Sequence, residues 1–120
     1  MSNKKNKSTN YLDYIPQRIE SYKWDQDKEG NVTIFVENKG IFNRIAQKTL
    51  KKPEVSQIHL QGIGNFVWSL IDGETSIYDL GIKVKEHYGD EAEPLYERLS
   101  EYMRMLEQYG FISIKKEINE

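Results

Sequence analysis

Between Pro94 and Gly110, five large side chains (Leu95, Leu99, Tyr102, Leu106 and Tyr109) recur at spacings of four, three, four and three. That is the repeat of a single helix face, and a face this continuous has to be buried against other elements. The spacing predicts a helix over about Glu91 to Tyr109. Asp90, Glu91 and Glu93 complement the positive end of its dipole, Pro94 is tolerated in a first turn, and Gly110 closes it.

The chain upstream has to supply what this helix packs on. Ile19 to Asp27 and Asn31 to Glu37 read as two strands. In the second, Val32, Ile34 and Val36 alternate with Thr33, Phe35 and Glu37, the period-two pattern of a half-buried strand. Asp27-Lys28-Glu29-Gly30-Asn31 between them is polar and carries a glycine free to take positive φ, which suits a hairpin turn. Ile41, Phe42, Ile45, Thr49 and Leu50 then fall at helical spacing within a wholly basic stretch, and Pro53 stops it. Residues 39–54 are therefore a basic helical insert ahead of a third strand, Val55 to Leu60.

Two further helices precede the long one. Gly62 to Ile71 carries Phe66, Val67, Leu70 and Ile71 as its stripe, and Asp72-Gly73-Glu74 is a turn. Ser76 followed by Asp79 is an N-capping signature for a helix that Gly89 ends. Trp68, Leu70, Leu80, Leu99 and Leu106 are the expected helical core. Phe111 to Ile114 forms a last short strand. The fold class is α+β and winged-helix-like: a three-stranded antiparallel sheet, three helices and a short terminal wing strand. Residues 11–115 form the domain, behind a basic, disordered tail of residues 1–10.

Composition narrows function by exclusion. The chain has no cysteine, which removes disulfides, thiolate metal sites and cysteine nucleophiles, and fits a cytoplasmic location. No apolar run exceeds three residues, so no membrane span or signal-peptide core is expected. His59 and His87 have no carboxylate at metal-ligand spacing, so no metal site is expected. Gly62-Ile63-Gly64 lacks the third glycine of a dinucleotide fingerprint. Nothing in the chain points to an enzyme or to a bound cofactor.

The long helix does more than pack. Arg98 and Met105 widen its apolar arc on one flank, and Tyr96 and Met103 widen it on the other. An arc of about 100° suffices for core packing, so either the helix is buried on two sides or one flank lines a groove open to a partner. Adaptable methionine and tyrosine side chains suit such a surface. Arg98 marks the solvent boundary, its stem on apolar surface and its guanidinium able to pair with an acid. The flank of Arg98, Tyr102 and Met105 is therefore the expected groove wall.

Over Val55 to Ile114 the chain resembles the PqqD family of leader-peptide recognition elements. The resemblance is carried by Ile58-His59-Leu60, Gly64-Asn65-Phe66-Val67-Trp68, Leu70-Ile71-Asp72-Gly73, Ser76-Ile77-Tyr78-Asp79-Leu80 and Leu106-Glu107-Gln108-Tyr109-Gly110-Phe111-Ile112. It implies a non-catalytic peptide chaperone that binds the leader of a ribosomally made precursor. The chaperone presents that leader to a modifying enzyme, commonly a radical SAM enzyme, as in pyrroloquinoline quinone synthesis. The leader is expected to add as a strand along Val55, Ser56, Gln57, Ile58, His59 and Leu60, against Arg98, Tyr102 and Met105 of the third helix. The basic insert and the tail depart from the family pattern.

The competing reading is a DNA-binding winged-helix regulator. DNA binding needs cations on the element that enters the groove. Glu91 to Tyr109 carries five acidic residues against two arginines, a net −3, which phosphate repels. No nucleic-acid or membrane partner is expected, and the oligomeric state is not legible.

Overall fold

The computed structural model describes residues 10–37 and 55–116. In chain order these form β1 (Ile15–Arg18), β2 (Lys23–Gln26), β3 (Val32–Glu37), β4 (Val55–His59), α1 (Ile63–Leu70), α2 (Ile77–Tyr88), α3 (Leu95–Gln108) and β5 (Ile112–Lys115). Short 3-10 turns lie at Tyr11–Asp13 and Gly89–Ala92. The expected tail, apart from Asn10, and the expected basic helix within 39–54 lie outside the described residues. The architecture is α+β, as the sequence indicates. It divides into two compact units, one made of the chain up to Ile19 and from Gly62 onward, the other of Glu20–Gln61.

In the Glu20–Gln61 unit, β2, β3 and β4 form an antiparallel sheet in that order. The β2–β3 turn follows from its residues. Gly30 takes φ +92°, and Asp27 donates its N–H to the Asn31 carbonyl at 3.0 Å. The Asp27 carboxylate accepts the N–H groups of Asn31 and Glu29, each at 2.9 Å. These bonds, Asn31 first, hold its carboxyl below the usual carboxylate range. The alternation in β3 holds at Val32 and Ile34, which are buried between the half-buried Thr33 and Phe35, and lapses at Val36, which is half-buried like Phe35.

In the other unit the three helices share one core. Val67, Trp68, Ile71, Ile77, Leu80, Val84, Leu95, Leu99, Met103 and Leu106 are all buried. Ser76 caps α2 by accepting the Asp79 N–H at 3.1 Å, and Gly89 at φ +63° closes it. The Asp72 carboxylate accepts from the backbone of Glu74 and Thr75 and from the Thr75 hydroxyl, making the turn between α1 and α2.

Four expectations are corrected. The first strand is not Ile19–Asp27: only Lys23–Gln26 pairs with β3, while Ile15–Arg18 pairs with β5, the Ile19 N–H extending that ladder to the Phe111 carbonyl at 3.0 Å. Pro16 turns its backbone away from β5, where its carbonyl accepts the Gly73 N–H at 3.2 Å, so its missing N–H removes no bond from the β1–β5 ladder. The long helix begins at Leu95, not Glu91. Pro94 is extended at its N-cap, and the Glu93 carboxylate accepts the Leu95 N–H at 3.0 Å. Leu70 is half-buried and Ile71, at the helix end, takes its place in the core. Tyr109 lies at the C-cap and is 66% exposed, its ring stacked on Phe111 rather than facing the core.

Candidate functional site

β4 is the outer strand of its sheet among the described residues, paired to β3 on one side, and all five of its residues are exposed. Its register pairs Thr33 with His59, Ile34 with Ile58, Phe35 with Gln57, Val36 with Ser56 and Glu37 with Val55. The ladder continues one residue on, where the Leu60 N–H donates to the Val32 carbonyl at 3.0 Å. Hydrogen-bonded and non-hydrogen-bonded pairs alternate along an antiparallel ladder. Ser56, Ile58 and Leu60 therefore turn their backbone groups toward β3, and Val55, Gln57 and His59 turn theirs away from it. The close Thr33–His59 side-chain pair, Oγ1 to Nδ1 at 3.1 Å, is what a non-hydrogen-bonded position allows.

The two faces of this strand differ. Ile58 and Leu60 lie on the face of Ile34, Val32 and Trp24, while Val55, Gln57 and His59 lie on that of Phe35, Thr33 and Glu37. Leu60 is buried, unlike the five residues before it, and so is the least available of the six expected peptide contacts.

On α3, Arg98 and Tyr102 border one cavity of about 120 Å³, with Ile63, Gly64 and Val67 of α1, Val84 of α2, and Ala92, Leu95 and Leu99. The wall is apolar except at Arg98 and the tyrosine hydroxyl. Tyr102 is fixed by donating that hydroxyl to the Gly64 carbonyl at 2.8 Å, and burial pushes its phenol up. Arg98 is exposed, with Nη1 donating to the Glu91 carbonyl at 3.2 Å. Met105 is 41% exposed and does not border the cavity. The other flank is closed: Met103 is fully buried, and Tyr96 stacks on Tyr78 and donates its hydroxyl to the Tyr78 carbonyl at 3.0 Å.

Gly64 was not among the expected site residues. Its role has one sequence signal, a glycine inside the first turn of a helix where alanine is intrinsically better. His87 stacks on Phe66 at 4.4 Å, and among the described residues no group of histidine and carboxylate side chains is placed to hold a metal. Glu97, Glu101 and Glu107 are exposed along α3. No helix among the described residues is long and apolar enough to cross a membrane.

The described residues form an α+β protein, one unit of which has an exposed outer strand and the other a long amphipathic helix. The family model of coenzyme PQQ synthesis protein D, PqqD, matches residues 50–112, just over half of the chain and the whole span from β4 through α3. The chain belongs to the PqqD family, and membership implies an accessory, peptide-binding partner protein of the PQQ-synthesis type. The β2–β3 hairpin lies outside the matched residues. No curated protein and no solved structure matches the chain.

Proposed function

We propose that the protein is a non-catalytic, cytoplasmic chaperone for the leader of a ribosomally made precursor peptide, which it presents to a modifying enzyme of the radical SAM type. The leader adds as a strand along β4, from Val55 to Leu60. Arg98, Tyr102 and Met105 of α3 supply the side-chain contacts. The observation that carries this reading is the outward backbone of Val55, Gln57 and His59 on an exposed strand within the span matched by the family model. Such an edge is a template for strand addition, where main-chain bonds give affinity and side-chain pockets give specificity. Support for the second set of contacts comes from the open flank of α3, where Arg98 and Met105 are exposed.

The test is calorimetric titration with the leader of a precursor encoded beside this chain's gene. Native protein is expected to bind it. Gln57→Pro, which removes an outward donor and leaves the β3 ladder intact, is expected to weaken binding about tenfold or more with an unchanged circular dichroism spectrum. A native chain that binds no such leader ends the proposal.

A further inference from the structure

We infer that the cavity between α1, α2 and α3 binds a small monocarboxylate with a branched aliphatic or aromatic body, its carboxylate paired with Arg98. Strand addition at β4 is not needed for this, because every residue bordering the cavity lies in the other unit. The cavity measures about 120 Å³. Val67, Val84, Leu95 and Leu99 wall it, and each is buried. An apolar cavity of about 150 Å³ with comparable walls admits benzene, so this one has room for a body of about five carbons. Arg98 is the one exposed residue on its border, which places the guanidinium at the mouth.

The polar groups at the border decide the ligand's other end. Tyr102 and Arg98 are the bordering residues with polar side chains, and the Tyr102 hydroxyl already donates to the Gly64 carbonyl. Arg98 spends one N–H on the Glu91 carbonyl, and among the described residues no carboxylate pairs with it. Glu93, near the start of α3, is held by Lys85 at 2.6 Å instead. A guanidinium carries five N–H donors and no acceptor, so what remains is a fork suited to a carboxylate. An amine would meet a like charge there, and a neutral amide would forgo the attraction. A second carboxylate would have to lie unpaired against Val67 and Leu99, and burying a bare charge is prohibitive. One acid and one compact apolar body are what this border accepts.

The test follows the methyl signals of the full chain by NMR during titration with acids from propanoate to octanoate. The probe 4-methylpentanoate is expected to bind with a Kd on the order of 1 mM and to shift the methyl signals of Val67, Val84 and Leu99. Each methylene added to the shorter acids is expected to tighten binding about fourfold, and the gain to stop once the body outgrows the cavity. The neutral 4-methylpentanamide is expected to bind about threefold to fivefold more weakly. Arg98→Gln is expected to bind acid and amide alike. Ala92→Leu, which adds bulk at the cavity's border, is expected to abolish the shifts; should that variant unfold, the acid–amide comparison still decides. No shift of these methyl signals at about tenfold above the expected Kd overturns the inference. So does an amide that matches the acid on the native chain, or affinity that climbs without a break through octanoate, which would report adsorption on open surface. A leader peptide that shifts the same methyl signals as the acid assigns the cavity to a leader side chain and overturns it as well.

Discussion

The Tyr102 hydroxyl donates to the Gly64 carbonyl at 2.8 Å, and a Cβ on Gly64 would lie 3.0 Å from Cε1 of the same ring. Each residue therefore sets the terms for the other. The ring sits where it does because residue 64 has no side chain, and the Gly64 carbonyl accepts a bond from another helix. Tyr102→Phe keeps the ring and removes the donor, so it is expected to cost about 0.5–1.5 kcal/mol in urea unfolding. Gly64→Ala alone gains helix propensity but crowds the ring. In a Tyr102→Ala background the crowding is gone, so Gly64→Ala is expected to be more favourable there than in the native chain. Equal effects in both backgrounds would show that the two residues are uncoupled.

A harsher version of the same arrangement occurs at Gly81, where a Cβ would overlap the Tyr96 ring and lie 2.6 Å from its Cζ. Tyr96 cannot easily yield, being stacked on Tyr78 and bonded to its carbonyl. Gly81→Ala is expected to destabilise by about 1–3 kcal/mol, the range for overpacking a core. An unchanged unfolding midpoint would show that the ring swings freely.

Core membership is tested by contrast. Leu99 is 4% exposed and Leu70 is half-buried. Leu99→Ala is expected to cost about 2–5 kcal/mol, and Leu70→Ala clearly less, because part of its side chain already meets water. Parity between the two in denaturant unfolding would mean that the core has been drawn around the wrong residues.

How far these relations were legible differs by kind. Helices α2 and α3 were, because Ser76, Gly89, Gly110 and a four-three apolar repeat are local signals. The β2–β3 hairpin was legible for the same reason, through Gly30 and the alternation of Val32, Ile34 and Val36. β1 was not: Pro16 argues against a strand unless the partner β5, and the fact that Pro16 turns its backbone away from it, are known. The start of α3 was misplaced because a proline in a first turn and a proline at an N-cap look alike until the backbone of Pro94 is seen. At the site, residue type singled out the exposed flank of α3. Which amides of β4 point outward was not legible, since parity depends on register and the Leu60–Val32 bond supplies it. Leu70 and Ile71 are adjacent apolar residues, and only the angle at which α1 ends decides which is buried.

Acid should find the turn between α1 and α2. The Asp72 carboxylate is held below its usual range, first by the Glu74 N–H and then by Thr75. A carboxyl lowered in the folded state adds stability that is present above the unfolded value, about 3.9, and is lost as pH falls through the folded value. Unfolding midpoints are expected to drop as pH falls below about 4. Asp72→Asn, which cannot ionise, is expected to show a shallower drop than the native chain. Superimposable pH profiles would remove Asp72 from the acid response.

The flanks of α3 separate binding from stability. Arg98 and Met105 are exposed, whereas Met103 has no exposed surface and Tyr96 is engaged with Tyr78. If the open flank receives the leader, Arg98→Ala and Met105→Ala are expected to weaken peptide binding several-fold while moving the unfolding free energy by no more than about 0.5 kcal/mol. Met103→Ala should do the opposite, costing about 2–5 kcal/mol by opening a cavity and affecting affinity only through the folded fraction. Amide shifts on titration with the same peptide provide the map: they are expected at Arg98, Tyr102 and Met105. Shifts confined to Tyr96 and Met103 would mean that the leader displaces the Tyr78–Tyr96 stack, and would reverse the choice of flank.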